Sequence, residues 1–210
     1  MIFLSYDYVN KYEEVLTYLI ARSISEEYSF DHIEKTIARS SVFSQFEQSD
    51  VTAIAFSSAE KIYSELFPRF TNKFTANIYN IYGWIAFAYI NIFLKKQVTF
   101  ETIFAALPLE KMLLYYGPYH EMDISQLLEL FDEKVGKSHL DLFMKKSDMS
   151  CVELAKQTNI PLPTIKALRY GHRDIAKMEL YRTILISSVL HIKVESLLDK
   201  IPLDLQQIEN

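Results

Sequence analysis

Glycine and cysteine are scarce in this chain of 210 residues. Its four glycines stand singly, so the sequence contains neither a glycine-rich phosphate loop nor a dinucleotide-binding fingerprint. A single cysteine, Cys151, excludes an internal disulfide framework and a zinc site built from several cysteines. We therefore expect a protein that is not an enzyme and has no cofactor or metal. The lone cysteine also favours a reducing compartment, so we expect the protein to be cytoplasmic.

An excess of basic residues is also lacking. The chain has 22 Lys and Arg against 27 Asp and Glu, and this formal net charge of −5 argues, taken alone, against a nucleic-acid-binding protein. The charge is unevenly distributed, because residues 1–136 contain 11 basic and 18 acidic residues, whereas residues 137–210 contain 11 and 9. Thirteen of the 14 phenylalanines also lie in the first part. We therefore predict an acidic helical domain over residues 1–136, a second domain over residues 137–202 and a tail over residues 203–210.

Residues 74–94 contain no charged side chain, and a segment of 21 residues is long enough to span a bilayer. Three asparagines in the segment, Asn77, Asn80 and Asn91, would each need a hydrogen-bonding partner in lipid. Its aromatic residues are spread along the segment and are not concentrated at its two ends. The pattern favours a buried central helix over a membrane span, so we expect no membrane association.

The apolar residues of the first domain recur at intervals of three and four, which predicts helices throughout. Asp123 followed by Gln126 is typical of a capping box, and Gly136 is placed to end the helix that this box begins. The stretch Val51–Phe56 is the least regular part of the pattern. The predicted helices are Tyr8–Arg22, Ser29–Arg39, about Asp50–Leu66, Phe74–Leu94, a short helix after Thr99, Leu109–Tyr116 and Ile124–Lys134.

From Ser138 onward the pattern predicts five short helices. Ser150 and Glu153 form a capping box at the start of a helix over Cys151–Thr158, and Leu162–Arg169 follows as the next helix. Between them, Asn159 can adopt the left-handed conformation that a tight turn needs. Pro161 and Pro163 fall in the first turn of the second helix, where proline is tolerated. The residues predicted to be buried here are Val152, Leu154, Ala155, Ile165 and Leu168.

Several features of this region occur together in one known family: Ser150, Glu153-Leu154-Ala155, Ile160 followed by Thr164-Ile165, Leu168, Gly171 and the closing stretch from Leu180 to Leu198. In this order they resemble the lambda-repressor/Cro-like, or XRE-type, DNA-binding domain. The resemblance implies an all-α protein in which an N-terminal helical bundle precedes a five-helix domain. It also implies a transcriptional regulator whose second helix enters the major groove of double-stranded operator DNA.

The resemblance assigns a DNA-binding role to nine positions. It places Thr164, Lys166 and Ala167 at the groove. It places Arg169, Tyr170, His172 and Arg173 nearer the phosphate backbone, and it adds Lys156 and Ser150 as further DNA-binding positions. Residues 145–173 contain six basic and two acidic residues, so contact with phosphates is supported.

Two departures from the family pattern weaken base recognition. Cys151 stands where the family often has a phosphate-contacting glutamine. Leu162 and Pro163 open the second helix, where polar residues usually read base edges. We therefore expect a homodimer on DNA, and two alternatives stay open. The fold could serve protein contact or dimerisation without DNA, or it could be appended to an enzyme of unknown type.

The first domain has a second resemblance, carried by Gly83-Trp84, Leu107-Pro108-Leu109-Glu110, the run Tyr119–Ile124 and, upstream, Ser40-Ser41 with Phe46-Glu47. These residues are similar to those of an uncharacterised family of small helical bacterial proteins encoded beside toxin-like genes. The resemblance implies an antitoxin-like protein whose first domain binds a protein partner, such as a toxin.

Four residues near the Gly117-Pro118 pair are candidates for partner contact: Tyr115, Tyr116, Tyr119 and His120. Tyrosines are enriched at interfaces, although they could equally seal the end of the helical bundle. His120, Glu121 and Asp123 together lack the spacing of a metal site. Cys151 is interpreted as a packed residue, and Met144, Met149 and Met178 as core residues.

Overall fold

The computed structural model describes residues 6–68 and 80–198, and every regular element in these ranges is a helix. The all-α prediction is therefore confirmed for the described residues. The α-helices are α1 (Tyr6–Ser25), α2 (Phe30–Arg39), α3 (Ser41–Glu47), α4 (Thr52–Ala55), α5 (Ala59–Leu66), α6 (Ile81–Lys96), α7 (Phe100–Ala106), α8 (Leu109–Tyr119), α9 (Ile124–Val135), α10 (His139–Lys146), α11 (Cys151–Thr158), α12 (Leu162–Arg169) and α13 (Leu180–Leu190). Two short 3₁₀ helices cover Ile175–Lys177 and Val194–Leu197.

The single helix predicted over Asp50–Leu66 is wrong, because this stretch forms α4 and α5 with a break between them. Phe56 follows α4 and leaves 85% of its surface exposed. The Ser58 hydroxyl then accepts the backbone N–H of Lys61 at 3.2 Å and caps the start of α5. A local capping bond of this kind competes with continuation of the helix. The sequence prediction also missed α3, which Ser40 caps in the same way.

Helix α8 also departs from its prediction, because it continues through Gly117 and Pro118 to Tyr119. The backbone N–H of His120 still donates to the Tyr116 carbonyl at 3.0 Å. Pro118 cannot donate to the carbonyl of Leu114, but Leu114 is 66% exposed, so water can solvate that side of the helix. The proline therefore lies inside the last turn of α8.

Helix α6 contains the uncharged segment from Ile81 onward, with Asn80 as its N-cap, and it packs along α1 in the middle of the structure. Its side chains from Ile85 to Phe93 are mostly buried, and the Asn91 amide donates to the Phe87 carbonyl at 2.9 Å. The central-helix prediction is confirmed for this part, whereas residues 74–79, with Asn77, lie outside the described residues. Within residues 6–68 and 80–198, no helix combines the length and the hydropathy needed to cross a membrane.

Buried apolar side chains form two clusters. The larger cluster lies among α1 to α9 and is rich in phenylalanine and tyrosine. The smaller cluster lies among α10 to α13 and the last 3₁₀ helix, with Leu154, Ile165 and Leu168 at its centre. The two clusters touch, because Leu142 of α10 belongs to the larger cluster and Ala105 of α7 packs against the smaller one.

Two buried glutamates cap neighbouring helices. Glu47 accepts the backbone N–H of Phe100, the first residue of α7, at 2.7 Å, and Glu34 accepts that of Leu109, the first residue of α8, at 2.6 Å. Burial raises the pKa of both carboxyl groups, and these backbone N–H bonds lower it in part. A carboxylate at a helix N-terminus also interacts favourably with the helix dipole. Glu34 thus satisfies the Leu109 N–H, for which the N-cap residue Pro108 offers no side-chain acceptor.

A polar network joins the last described residues to the first part of the chain. Lys193 donates its backbone N–H to Glu101 at 2.8 Å and its ammonium group to Glu47 at 3.2 Å. Ser196 bonds to Glu101 at 2.9 Å and to Thr99 at 2.8 Å. Arg39 donates to the His191 carbonyl at 2.8 Å. The two clusters are therefore tied by specific hydrogen bonds as well as by apolar contact.

Candidate nucleic-acid interface

Helices α11 and α12 are joined by a three-residue turn. The Ser150 hydroxyl accepts the Glu153 N–H at 3.2 Å, and the Glu153 carboxylate accepts the Ser150 N–H at 2.9 Å, which confirms the predicted capping box. Asn159 ends α11 in the left-handed conformation, with φ 54° and ψ 26°. Pro161 precedes α12 as its N-cap, and Pro163 lies within its first turn. The sequence thus predicted both ends of this turn.

The inner faces of these two helices meet in the smaller cluster. Leu154, Ile165 and Leu168 are buried, as predicted. Ala155 is half-buried. The prediction for Val152 is wrong, because this side chain is 61% exposed. Residues two apart on an α-helix point about 200° apart, so the face that buries Leu154 turns Val152 to solvent.

Lys166 is the most available cation of α12. Its side chain is exposed and forms no ion pair with any described residue. Tyr170, one turn further on, is 43% exposed. Thr164 and Ala167 are half-buried, so they contribute less surface to this side of the helix. The outer face of α12 therefore presents one free positive charge and one aromatic ring.

Arg169, in contrast, is engaged within the fold. Its Nε donates to Asp141 of α10 at 2.8 Å, and its Nη1 lies 3.6 Å from the Sγ of Cys151. Burial would raise the pKa of Asp141, but the hydrogen bonds from Lys145 and Arg169 outweigh it, and the pKa is lowered. The Ser138 hydroxyl donates to the Arg169 carbonyl at 2.8 Å. Arg169 thus fixes α12 against α10 and α11, and Asp141 balances its charge.

Several basic side chains lie around Tyr170. The ammonium group of Lys137 lies 5.0 Å from the centre of the Tyr170 ring, and the guanidinium carbon of Arg169 lies 5.9 Å away. The His172 ring is 6.5 Å from the Tyr170 ring. Sequence reasoning did not select Lys137, because it is far from α12 along the chain. The only local feature that marks Lys137 in the sequence is its position directly after Gly136, which ends α9.

Gly171 allows Lys137 to approach. It has φ +71°, and a Cβ atom at this position would lie 2.9 Å from the Lys137 carbonyl oxygen. A side chain here would strain the backbone and displace the residue 137 segment. The glycine that follows α12 thus has a packing role as well as a turn role.

The other predicted DNA-binding residues differ in exposure and in the bonds that they already form. Lys156 on α11 and His172 and Arg173 after α12 are exposed. The Ser150 hydroxyl is already used for capping. The structure therefore brings together Lys137, Arg169, Tyr170 and His172, while Ser150 serves α11.

The four candidate partner-binding residues form two aromatic pairs on α8. The Tyr116 and His120 rings stack at 4.5 Å, and those of Tyr115 and Tyr119 meet edge to face at 5.7 Å. Trp84 of α6 contacts Tyr116 at 5.7 Å. The tyrosines are half-buried and His120 is exposed. They therefore cover one end of the bundle and still offer aromatic surface.

Within the two described ranges, no group of three His, Cys, Asp or Glu side chains is placed to hold a metal ion. Asp123 accepts the Ser125 N–H at 2.8 Å and so caps α9, as predicted. The predicted capping box with Gln126 is wrong, because the Asp123 carboxylate accepts from Ser125, and the Gln126 N–H donates to the Asp123 backbone carbonyl at 3.1 Å. His120 Nδ1 lies 2.8 Å from the Tyr116 carbonyl oxygen, a local hydrogen bond.

The chain matches no known family model, no curated protein and no solved structure. Its function must therefore be inferred from its own residues and their placement.

Proposed function

We propose that residues 137–202 form an XRE-type helix-turn-helix domain and that the protein is a DNA-binding transcriptional regulator. The observation that supports this most is the outer face of α12. Lys166 is exposed and unpaired there, and the Lys137–Tyr170 contact lies at the end of the helix. In a helix-turn-helix, this face of the second helix meets the major groove.

The chemistry of this face suits phosphates better than bases. Lysine and arginine neutralise backbone phosphates and release counterions, which supplies most non-specific affinity. The first turn of α12 offers Leu162 and Pro163, and neither side chain can form the paired hydrogen bonds that distinguish bases. Specific binding then depends on a second copy of the domain or on the protein partner.

A homodimer is the second part of the proposal. Leu180 and Ile184 lie one turn apart on α13 and are 68% and 42% exposed, and Tyr181 beside them is 69% exposed. Neighbouring exposed apolar side chains on one helix are typical of protein contact surfaces. We expect light scattering to give a dimer for the wild type and a monomer for the double substitution Leu180→Lys with Ile184→Lys. A wild-type monomer, or a dimer that survives both lysines, would contradict this surface.

We also propose an antitoxin-like role for the first domain. Trp84, Tyr116 and His120 form an aromatic surface on α6 and α8, beside Phe87, which is 42% exposed. The acidic residues of this domain would complement a basic, nucleic-acid-directed toxin. Co-purification with the product of the adjacent gene tests this role, and Tyr116→Ala should reduce recovery of that partner. An unaffected yield, with the variant folded, would remove this surface from the proposal.

A protein that retains this fold for protein contact alone is the second candidate. The exposure of Val152 in α11 and the apolar opening of α12 favour it, because both place apolar groups near the proposed groove face. Fluorescence anisotropy with duplex DNA from upstream of the protein's own gene, and with a scrambled duplex of equal length, separates the two functions. Salt-sensitive binding with preference for the upstream duplex supports regulation. Absence of binding at low salt favours the second candidate.

A further inference from the structure

A cleft of about 390 Å³ lies where the two apolar clusters meet. Its walls come from α2 and α7 on one side and from α10 and the end of α13 on the other. Phe104, Phe143 and Leu190 form apolar parts of the lining, each at most 5% exposed. Cavities of this size are typical of small-molecule sites, which combine an apolar lining with a few polar groups.

Most of the charged groups of this cleft are already paired. Lys35 bonds to Asp31 at 2.8 Å. Arg39 lies 3.8 Å from Glu101 and donates to the His191 carbonyl. These groups form the rim of the cleft, and their charges cancel locally.

Two opposite charges remain, Glu34 on α2 and Lys146 on α10. Glu34 is only 6% exposed and uses Oε1 for the Leu109 N–H, while its Oε2 accepts no hydrogen bond from a described residue. Lys146 forms no ion pair with a described residue, and its ammonium group is more than 4.0 Å from the Glu34 carboxylate. The two groups nevertheless feel each other's field. Glu34 and Lys146 thus line the same cleft, and neither forms an ion pair with a described residue.

The charges of Glu34 and Lys146 favour a ligand that carries both a positive and a negative group. A simple anion could pair with Lys146 but would be repelled by Glu34. A simple cation could pair with Glu34 but would be repelled by Lys146. A small zwitterion satisfies both groups at once, and an apolar substituent would cover Phe104 and Phe143. We infer that this cleft binds a small zwitterion with an apolar side chain, of the amino-acid type.

Isothermal titration calorimetry with L-phenylalanine, L-leucine and L-methionine tests the inference on the full chain. At least one of them should bind, and the analogue that lacks its ammonium or its carboxylate group should bind about ten-fold more weakly or worse. For L-phenylalanine these analogues are 3-phenylpropionate and phenethylamine. Failure of all three amino acids to bind at millimolar concentration would overturn the inference, and so would equal binding of the singly charged analogues.

Two substitutions locate the binding. Glu34→Gln keeps an acceptor for the Leu109 N–H but removes the charge, and Lys146→Met removes the exposed ammonium group. Each should weaken binding by about ten-fold or more. The matched controls are Glu129→Gln and Lys177→Met, at exposed positions outside the cleft, and both should bind as the wild type does. Binding that survives both cleft substitutions would place the ligand elsewhere. The inference does not depend on DNA binding.

Discussion

Arg169 is a basic residue of α12 whose contacts lie within the fold, with Asp141 and Cys151. It is 20% exposed, and its guanidinium group is shared between Asp141 and Cys151. Lys166, three positions earlier, is fully on the outer side. The sequence resemblance assigns both residues to DNA binding, but in the structure Arg169 is paired within the fold and Lys166 is exposed. We therefore expect Arg169 to position α12 and Lys166 to contact phosphate.

The Asp141–Arg169 pair leads to a pH-dependent prediction. The pKa of Asp141 is lowered in the fold, so its contribution to stability is present above the unfolded pKa, about 3.9, and is lost as the pH falls through the folded pKa. Asp141→Asn should lower the free energy of unfolding by about 1–3 kcal/mol near neutral pH, because Arg169 loses a buried partner.

Urea unfolding followed by circular dichroism, repeated at several pH values, measures this effect. The difference between wild type and Asp141→Asn should shrink as the pH falls below the unfolded pKa and through the lowered pKa of Asp141 in the fold. Glu129→Gln, at an exposed position that forms no ion pair with a described residue, is the control and should change little. A difference that stays constant with pH would show that the charge of Asp141 is not the cause.

At the scale of the element, the turn after α12 depends on one glycine. Gly171→Ala should lower the free energy of unfolding by about 1–3 kcal/mol, because φ is +71° and the new Cβ would approach the Lys137 carbonyl to 2.9 Å. Gly83→Ala is the matched control, since a Cβ there meets no atom within 4 Å and lies inside α6. That change should stabilise the protein by about 0.5–1 kcal/mol. Thermal unfolding of each variant gives its change in melting temperature relative to the wild type. Changes of the same sign in the two variants would contradict this prediction.

Local capping signals explain which elements the sequence could predict. Ser150 with Glu153, Asn159 and Asp123 act within a few residues of themselves, and each was located correctly. The break between α4 and α5 was missed, although Ser58 is the same kind of signal, because the apolar spacing continues across it. Burial of Val152 was predicted wrongly since periodicity alone does not fix which side of a short helix faces the core.

Contacts between distant parts of the chain were beyond sequence reasoning. The Lys137 carbonyl packs against Gly171 and the Lys137 ammonium group lies near Tyr170, and neither spacing nor composition indicates this approach. The cleft beside Glu34 and Lys146 likewise requires helices that are far apart along the chain, α2 and α7 on one side and α10 and α13 on the other. Patterns in a single sequence report local structure. They therefore locate the helices of the candidate site but not the residues from other parts of the chain that lie beside it.

For the whole molecule, the net charge of −5 averages over acidic residues 1–136 and mildly basic residues 137–210. The two parts are connected by polar contacts, and one of these contacts is the ion pair between Lys193 and Glu47. Glu47 is 6% exposed, and Lys193 reaches it from a position 146 residues later in the chain. A change at this contact should therefore affect how the two parts unfold together.

Lys193→Met should lower the free energy of unfolding by about 1–3 kcal/mol, because the Glu47 carboxylate keeps only the Phe100 N–H as a partner. Adding Glu47→Gln should recover part of that loss, since no buried charge is then left unpaired. A double-mutant cycle by urea unfolding measures the coupling between the two residues. Strictly additive effects would show that the pair does not join the two parts.

The proposal that the outer face of α12 binds DNA is tested by the salt dependence of binding. The slope of log K against log salt should be negative for the wild type on the upstream duplex, and Lys166→Ala should reduce its magnitude by about 0.9, one phosphate contact. Lys61→Ala, an exposed lysine of α5, is the control and should leave the slope unchanged. Anisotropy titrations between about 50 and 200 mM salt give these slopes. A wild type that does not bind, or a Lys166→Ala slope equal to that of the wild type, would contradict the claim.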